Sequence, residues 1–219
     1  MEKNYYVQVW CVQIFASLQK EIEDLEEGGI DIFHLDVMDG SFVPNFGMGL
    51  QDIEYICKTA IKPCDVHLMI ENPSKYVEKF ASLGAKIIYI HPEIDPHACR
   101  TLQMIKDAGA KAGIAINPGT SFETVKDLLH LCDYVMLMSV NPGFAGQKYL
   151  DFVTPKIQKV LSMKQRIMVD MMSWLMGHVL QKKIEMLSKI GVKGFILGTS
   201  ALFGKDKSYQ EIIKELREL

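Results

Sequence analysis

The sequence lacks several features that define other classes of protein. Its five cysteines are odd in number and scattered, with no CxxC pair, which argues against a zinc knuckle or a disulfide framework and indicates a reducing compartment. No apolar run is long enough to span a bilayer, and the first residues lack the basic-then-apolar order of a signal peptide. A net charge of -3 gives no electrostatic basis for binding nucleic acid or an anionic membrane. We therefore expect a cytoplasmic protein with no nucleic-acid or membrane partner.

What the sequence does contain is a regular alternation of apolar segments and helical patterns. Its 219 residues, 48% of them hydrophobic, suit one domain with a large core. Continuous apolar strands alternating with helices indicate a parallel sheet covered by helices. Eight strand-helix units are the number that closes a (β/α)8 TIM barrel, which we predict as a single domain over residues 1–219. The predicted strands are 5–11, 32–37, 65–70, 86–91, 112–117, 134–140, 166–170 and 194–198.

Two details of this interpretation are open to test. An open, doubly wound sheet is the alternative architecture, but no GxGxxG motif follows any strand, so a dinucleotide-binding fold has little support. A helix is predicted after every strand, including one that follows Pro118-Gly119 and ends near Leu131.

Polar side chains end three of the predicted strands. His34 and Asp36 are two residues apart, so they share one face of an extended strand. His67 lies near the end of strand three, and Asp170 ends predicted strand seven. Because active sites in such barrels lie at the C-terminal ends of the strands, these residues predict one shared site. Two imidazoles and two carboxylates suit Zn²⁺, Mn²⁺, Fe²⁺ or Co²⁺, and the residue types do not choose among these ions.

The alternative for each of these residues is a hydrogen-bonded structural role in the core. Four polar groups at the ends of three buried strands favour the shared site over four independent structural roles. The remaining histidines have no comparable neighbours and are predicted to be structural or surface residues: His91, His97, His130 and His178.

Glycine-rich loops follow predicted strands six and eight. Glycines leave backbone N–H groups free to approach an anion, and late loops of this barrel often hold a phosphate group. The loops 141–147 and 198–200 together predict a phosphorylated substrate. Three methionines fall near strand ends and either fill the core or line an apolar floor of the site: Met38, Met69 and Met138.

These same segments resemble the ribulose-phosphate 3-epimerase family. The motifs that carry the resemblance are His34-Leu35-Asp36-Val37-Met38-Asp39-Gly40, Val43-Pro44-Asn45, Asp65-Val66-His67-Leu68-Met69 and Met138 through Gln147. The resemblance implies a (β/α)8 barrel that forms a homo-oligomer and acts on a small-molecule sugar phosphate. It also implies one divalent metal ion (Zn, Fe, Mn or Co).

The resemblance further implies roles for individual residues. The metal ligands are His34, Asp36, His67 and Asp170, of which Asp36 and Asp170 exchange a proton with C3 of a ketose phosphate from opposite faces. The remaining substrate- and phosphate-binding positions are His67, Met69, Gly143, Phe144, Ala145, Gly146, Gly198 and Thr199.

The chain departs from the family pattern at two strands. Gln8-Val9 stand where the family has Pro-Ser, and Met171-Met172 stand where glycine and a second small residue help to bind phosphate. These departures keep open a non-catalytic or altered sugar-phosphate-binding barrel. A few positions in the two glycine-rich loops are more similar to the allulose-6-phosphate 3-epimerase branch than to the ribulose-5-phosphate one. A decarboxylase of the same fold is less favoured, because it would use a strand-borne lysine, and Lys86 and Lys111 lie at strand starts.

Overall fold

The computed structural model describes residues 5–10, 18–167, 172–176, 181–198 and 201–218. Within these residues, no helix combines the length and the hydropathy that crossing a bilayer requires.

Eight strands form one parallel sheet that closes on itself. Each strand pairs with the next in chain order, and β8 pairs with β1, with Tyr5 opposite Gly194. The α/β fold with a parallel sheet is therefore confirmed. The strands are β1 (Tyr5–Trp10), β2 (Ile32–Met38), β3 (Cys64–Met69), β4 (Ile87–Ile90), β5 (Lys111–Ile116), β6 (Tyr134–Met138), β7 (Met172–Met176) and β8 (Gly194–Leu197).

Helices occupy most of the connections between strands. The last begins with a capping box, in which the Ser208 hydroxyl accepts from the backbone N–H of Glu211 and the Glu211 carboxylate accepts from the N–H of Ser208. The α-helices of the described residues are α1 (Leu18–Gly28), α2 (Leu50–Thr59), α3 (Val77–Ser82), α4 (Ala98–Asp107), α5 (Thr154–Ile167), α6 (Gln181–Lys189) and α7 (Tyr209–Arg217).

The helix predicted after strand five is wrong in type. The chain instead forms two 3-10 helices, Phe122–Thr124 and Lys126–Leu131. Phe122 in the first of these helices and Val125 between the two are both buried. The described strand-helix repeat therefore contains a 3-10 connection at this point.

The predicted position of strand seven is also wrong. Residues Arg166 and Ile167 belong to the end of α5, and β7 begins at Met172, where Met172 lies opposite Tyr134 of β6. The run from Met168 to Met176 is apolar apart from one aspartate and one serine, so its pattern does not mark which five residues pair. The prediction that the strand ends at Asp170 therefore fails, and Asp170 itself lies outside the described residues.

Alternation along the strands creates two separate cores. Outward-facing residues of the sheet, such as Phe33, Leu35 and Val66, pack in the larger core with apolar residues of the helices. Inward-facing residues form a smaller cluster inside the closed sheet: Ile32, Ile87, Tyr89, Ala115, Met136, Met138 and Ile196. The C-terminal halves of β2 and β3 instead direct polar side chains into this interior, and these residues build the candidate site.

Candidate metal centre and active site

Four polar residues form a two-by-two block on neighbouring strands. His34 and Asp36 alternate along β2, and Asp65 and His67 alternate along β3. The register of the parallel pair places His34 opposite Asp65 and Asp36 opposite His67. All four are buried, with at most 3% of the residue exposed. The strands thus bring two imidazoles and two carboxylates into direct contact inside the sheet.

Asp36 lies between the two histidines. Its Oδ1 atom is 3.0 Å from Nδ1 of His67 and 3.3 Å from Nε2 of His34. The two imidazole rings are tilted by 35° with their centroids 5.5 Å apart. One ligand atom from each of these three residues falls within 4.8 Å of the others, a spacing at which they could hold one metal ion.

Electrostatics separate the protonation states of these groups. Burial alone would raise the pKa of Asp36, but its contacts with His34 and His67 lower it well below its usual range. Burial disfavours the charged form of His34, yet the neighbouring carboxylates of Asp65 and Asp36 raise its pKa to about 10. Burial lowers the pKa of His67 to about 4. The cluster therefore contains an ionised Asp36 and a neutral His67, and the carboxylates around His34 favour a positive charge at its ring.

The donor set fits a divalent ion. Nε2 of His34 is buried and has no hydrogen-bond partner among the described residues, although it faces the cluster. Two imidazole nitrogens and a carboxylate oxygen are ligands that Zn²⁺, Mn²⁺, Fe²⁺ and Co²⁺ accept. A cation bound among them would satisfy the orphaned nitrogen and neutralise Asp36.

His91 contacts this cluster, so the prediction that it has no comparable neighbours is wrong. Its Nε2 atom is 2.8 Å from Nε2 of His67, and its Nδ1 atom is 3.4 Å from the Glu93 carboxylate. Phe42 covers it, with ring centroids 4.9 Å apart. His91 is the last residue of the predicted strand four and lies two residues beyond the inward-facing Tyr89, so the alternation along that strand was the signal that could have indicated it.

The loop after β6 is joined to the loop after β2. The Asn45 side chain donates to the carbonyl oxygen of Gly143 at 2.7 Å. Gly143 has a φ of +108°, a region that favours glycine, and an added Cβ would lie 3.0 Å from Cβ of Val43. Gln147 closes the loop by donating to the Phe144 carbonyl oxygen at 2.9 Å. The hydrogen bonds therefore fix the path of the predicted phosphate loop. The backbone angle at residue 143 and the closeness of Val43 favour glycine at this position.

The remaining predicted site residues are placed as follows. Met69 is fully buried and packs with Met38 and Val43, whereas the Phe144 residue is 51% exposed. Gly198 follows β8 directly, and no atom of the described residues lies within 4 Å of the place where a Cβ would stand. Ala145 and Gly146 lie in the loop after β6, where Gly146 has a φ of +76°. Asp170 and Thr199 lie outside the described residues.

Fold and site together define an α/β protein whose parallel strands curl into a closed sheet with a candidate metal centre at their C-terminal halves. Among solved structures, the chain is similar to KGPDC from Streptococcus mutans, with a TM-score of 0.75, 10% identity and 98% of each chain covered. It is also similar to 3-hexulose-6-phosphate synthase, with a TM-score of 0.67, 16% identity, and 97% of this chain and 98% of that one covered. At these identities the likeness shows the fold alone.

Sequence comparisons define the family. The family model "Ribulose-phosphate 3 epimerase family" matches residues 11–203. The ribulose-phosphate 3-epimerase of Aquifex aeolicus is 41% identical over 90% of this chain and 86% of its own length. That of Bacillus subtilis is 40% identical over 93% of both chains. The chain belongs to the ribulose-phosphate 3-epimerase family and is an isomerase of the epimerase type.

Proposed function

We propose that the protein is a metal-dependent ketose-phosphate 3-epimerase that inverts C3 of D-ribulose 5-phosphate. The observation that carries this proposal is the sharing of one ionised carboxylate, Asp36, by His34 and His67 inside the sheet. The relatives described above are named ribulose-phosphate 3-epimerase, which favours this substrate over D-allulose 6-phosphate. We further propose that the closed sheet is that of a complete (β/α)8 barrel, that the protein is cytoplasmic, and that it forms a homo-oligomer.

The proposed chemistry is proton transfer between two carboxylates and C3. Asp36, ionised because its contacts with two histidines lower its pKa, takes the C3 proton from one face of the substrate. Asp170 delivers a proton to C3 from the opposite face, which inverts the configuration. A divalent ion bound by His34, Asp36, His67 and Asp170 would supply Lewis-acid stabilisation of the negative charge that develops on the C2 oxygen.

Phosphate binding is proposed for the glycine-rich loops. Backbone N–H groups of Gly143 through Gly146 and of Gly198-Thr199 would hold the phosphate group. The contacts from Asn45 to Gly143 and from Gln147 to Phe144 support this role, because they fix the path of the loop after β6 before a ligand binds. His67 and Met69 complete the proposed substrate contacts.

Proton exchange at C3 is the direct test. Metal-stripped protein in D2O, with Zn²⁺, Mn²⁺, Fe²⁺ or Co²⁺ restored, is mixed with D-ribulose 5-phosphate or D-allulose 6-phosphate, and loss of the C3 proton signal is followed by NMR. We expect metal-dependent exchange that is faster with D-ribulose 5-phosphate. Asp36→Asn and Asp170→Asn should each slow the exchange by about 10²–10⁴-fold, because each removes a positioned acid-base group.

Asp95→Asn is the matched control for these two variants. Asp95 is a buried carboxylate that accepts from the backbone N–H of His97 at 2.9 Å, outside the metal cluster. This variant should exchange C3 at the wild-type rate. Absence of exchange with either sugar phosphate, in folded wild-type protein that has bound metal, would contradict the epimerase proposal.

One observation favours a second candidate, a barrel that binds sugar phosphate without epimerising it. The described β7 begins at Met172, after the aspartate that was predicted to end this strand. If the second carboxylate does not reach the substrate, metal and ligand would bind without loss of the C3 proton. Isothermal titration of metal-loaded protein with D-ribulose 5-phosphate, beside the exchange assay, distinguishes the two functions.

A further inference from the structure

Asp65 is a buried carboxylate that the proposed chemistry does not use. It lies on β3 opposite His34, and its side chain is fully buried. Its Oδ1 atom is hydrogen-bonded to Nδ1 of His34, which is the one side-chain hydrogen bond recorded for it in the described part of the chain. Its Oδ2 atom has no partner there. Burial of a carboxylate costs free energy, and the contact with His34 must offset this cost.

The contact with Asp65 determines what the other ring nitrogen of His34 can do. A carboxylate accepts hydrogen bonds, so Nδ1 of His34 carries the proton that faces Asp65. In the neutral ring the lone pair is then on Nε2, which faces Oδ1 of Asp36 at 3.3 Å and has no hydrogen-bond partner in the described part of the chain. Two acceptors that face each other across a buried space require a cation or a proton between them.

We propose that Asp65 is a positioning residue for the metal centre. It holds His34 with the proton on Nδ1, so that the lone pair of Nε2 is directed at the cluster formed with Asp36 and His67, and it thereby raises the affinity for a divalent cation. The general basis is that a histidine ligand whose second nitrogen donates to a carboxylate is fixed in orientation and made more basic. This proposal deepens the metal-centre part of the function proposed above and rests on it.

The contacts of His67 differ from those of His34, so a change at Asp65 should act on only one histidine of the cluster. His67 has Asp36 at its Nδ1 atom and Nε2 of His91 at its own Nε2 atom, 2.8 Å away. Removing Asp65 therefore alters one ligand of the cluster and leaves the contacts of the other in place. An effect on cation binding can be assigned to the orientation and basicity of His34.

The test measures cation binding without any substrate. Zn²⁺ affinity is determined by competition with a chromophoric chelator for the wild type, Asp65→Asn and Asp65→Ala. We expect Asp65→Ala to bind Zn²⁺ about 10–100-fold more weakly. Asp65→Asn should lie between it and the wild type, because the amide oxygen still accepts from Nδ1 but carries no charge. The visible absorption of bound Co²⁺ should keep its wild-type bands in Asp65→Asn and change in Asp65→Ala, because only the latter frees the His34 ring.

Controls separate positioning from folding and from the metal centre itself. Circular dichroism and thermal unfolding in EDTA report the fold of each variant, and Asp65→Asn alone carries the test if Asp65→Ala does not fold. Asp95→Asn should bind Zn²⁺ within twofold of the wild type. Affinities of both Asp65 variants within twofold of the wild type would overturn this proposal alone. Failure of the wild type to bind either ion would overturn the proposed metal centre with it.

Discussion

The interior of the closed sheet has two chemically different sides. The side formed by β2, β3 and the end of β4 carries the titratable groups of the candidate site, whereas the described residues of β5, β6 and β8 contribute mainly glycine, alanine, methionine and isoleucine, with Tyr134 at the start of β6. The titratable side consists of His34, Asp36, Asp65, His67, Tyr89 and His91, and the apolar side of Gly113, Ala115, Met136, Met138 and Ile196. On both sides, alternate side chains of each strand point into the closed sheet. The architecture requires that these side chains fill the interior, whereas the chemistry of the interior depends on which residue types they are.

The two sides are matched in size where they meet. Tyr89 of β4 lies opposite Gly113 of β5, and both are buried. A Cβ atom at Gly113 would be 2.4 Å from Cδ1 of Tyr89, so the ring fills the space that a side chain at Gly113 would need. The Tyr89 ring of the titratable side therefore fills the space next to Gly113, where the apolar side has no side chain.

Met136→Ala should produce the largest loss of stability and should leave cation binding intact. Met136 is fully buried on the apolar side, and a large-to-small change there leaves a cavity, which costs about 2–5 kcal/mol of unfolding free energy. Urea unfolding in EDTA measures the loss, and chelator competition measures Zn²⁺ affinity. A large fall in Zn²⁺ affinity of the folded variant would mean that the two sides do not act independently.

Gly113→Ala should destabilise the protein by overpacking, at about 1–3 kcal/mol. The added methyl group would collide with the Tyr89 ring, which cannot move without disturbing the interior cluster. Combining it with Tyr89→Leu, which removes the ring, tests the mechanism in a double-mutant cycle. The double variant should be more stable than the sum of the two single losses predicts, and strict additivity would contradict the size match.

Most of the sheet could be predicted from the sequence, because alternation and flanking Gly and Pro residues mark its strands. Strands β2 to β6 lie within two residues of their predicted bounds at each end. Strand seven could not be placed, because the apolar run to Met176 offers no internal marker. The 3-10 connection could not be distinguished from an α-helix by apolar spacing, since residues three apart suit both.

The site was predictable only as far as alternation along single strands. His34 and Asp36 share a face by their spacing, and His67 lies near the end of the next strand, so their convergence follows from a parallel sheet. The partners Asp65 and His91 depend on the register between strands, which alternation within one strand does not determine. Outer contacts of a site are therefore harder to predict than its central residues.

Glu93→Gln should have the smallest effect of these variants, with a dependence on pH that identifies its cause. Glu93 joins the two sides: its carboxylate lies 3.4 Å from Nδ1 of His91 and accepts from the backbone N–H of Asn117, after β5, at 2.8 Å. Its side chain is 18% exposed. Burial alone would raise the pKa of Glu93, but these contacts lower it to about 2. Loss of the charge should cost about 1.5 kcal/mol at pH 7.

The sign of the pH dependence follows from a folded-state pKa below the unfolded one. The stabilisation is fully present above the unfolded value of 4.5 and is lost as the pH falls through that value to about 2. The difference in unfolding free energy between wild type and Glu93→Gln, measured in EDTA, should therefore be constant from pH 5.5 to pH 7 and should shrink toward pH 3. Glu123→Gln alters an exposed glutamate that is paired with Lys159, and it is the control. The difference in unfolding free energy between this variant and the wild type should change little with pH. A Glu93→Gln difference that stays constant down to pH 3 would show that the carboxylate is not held ionised between the two sides.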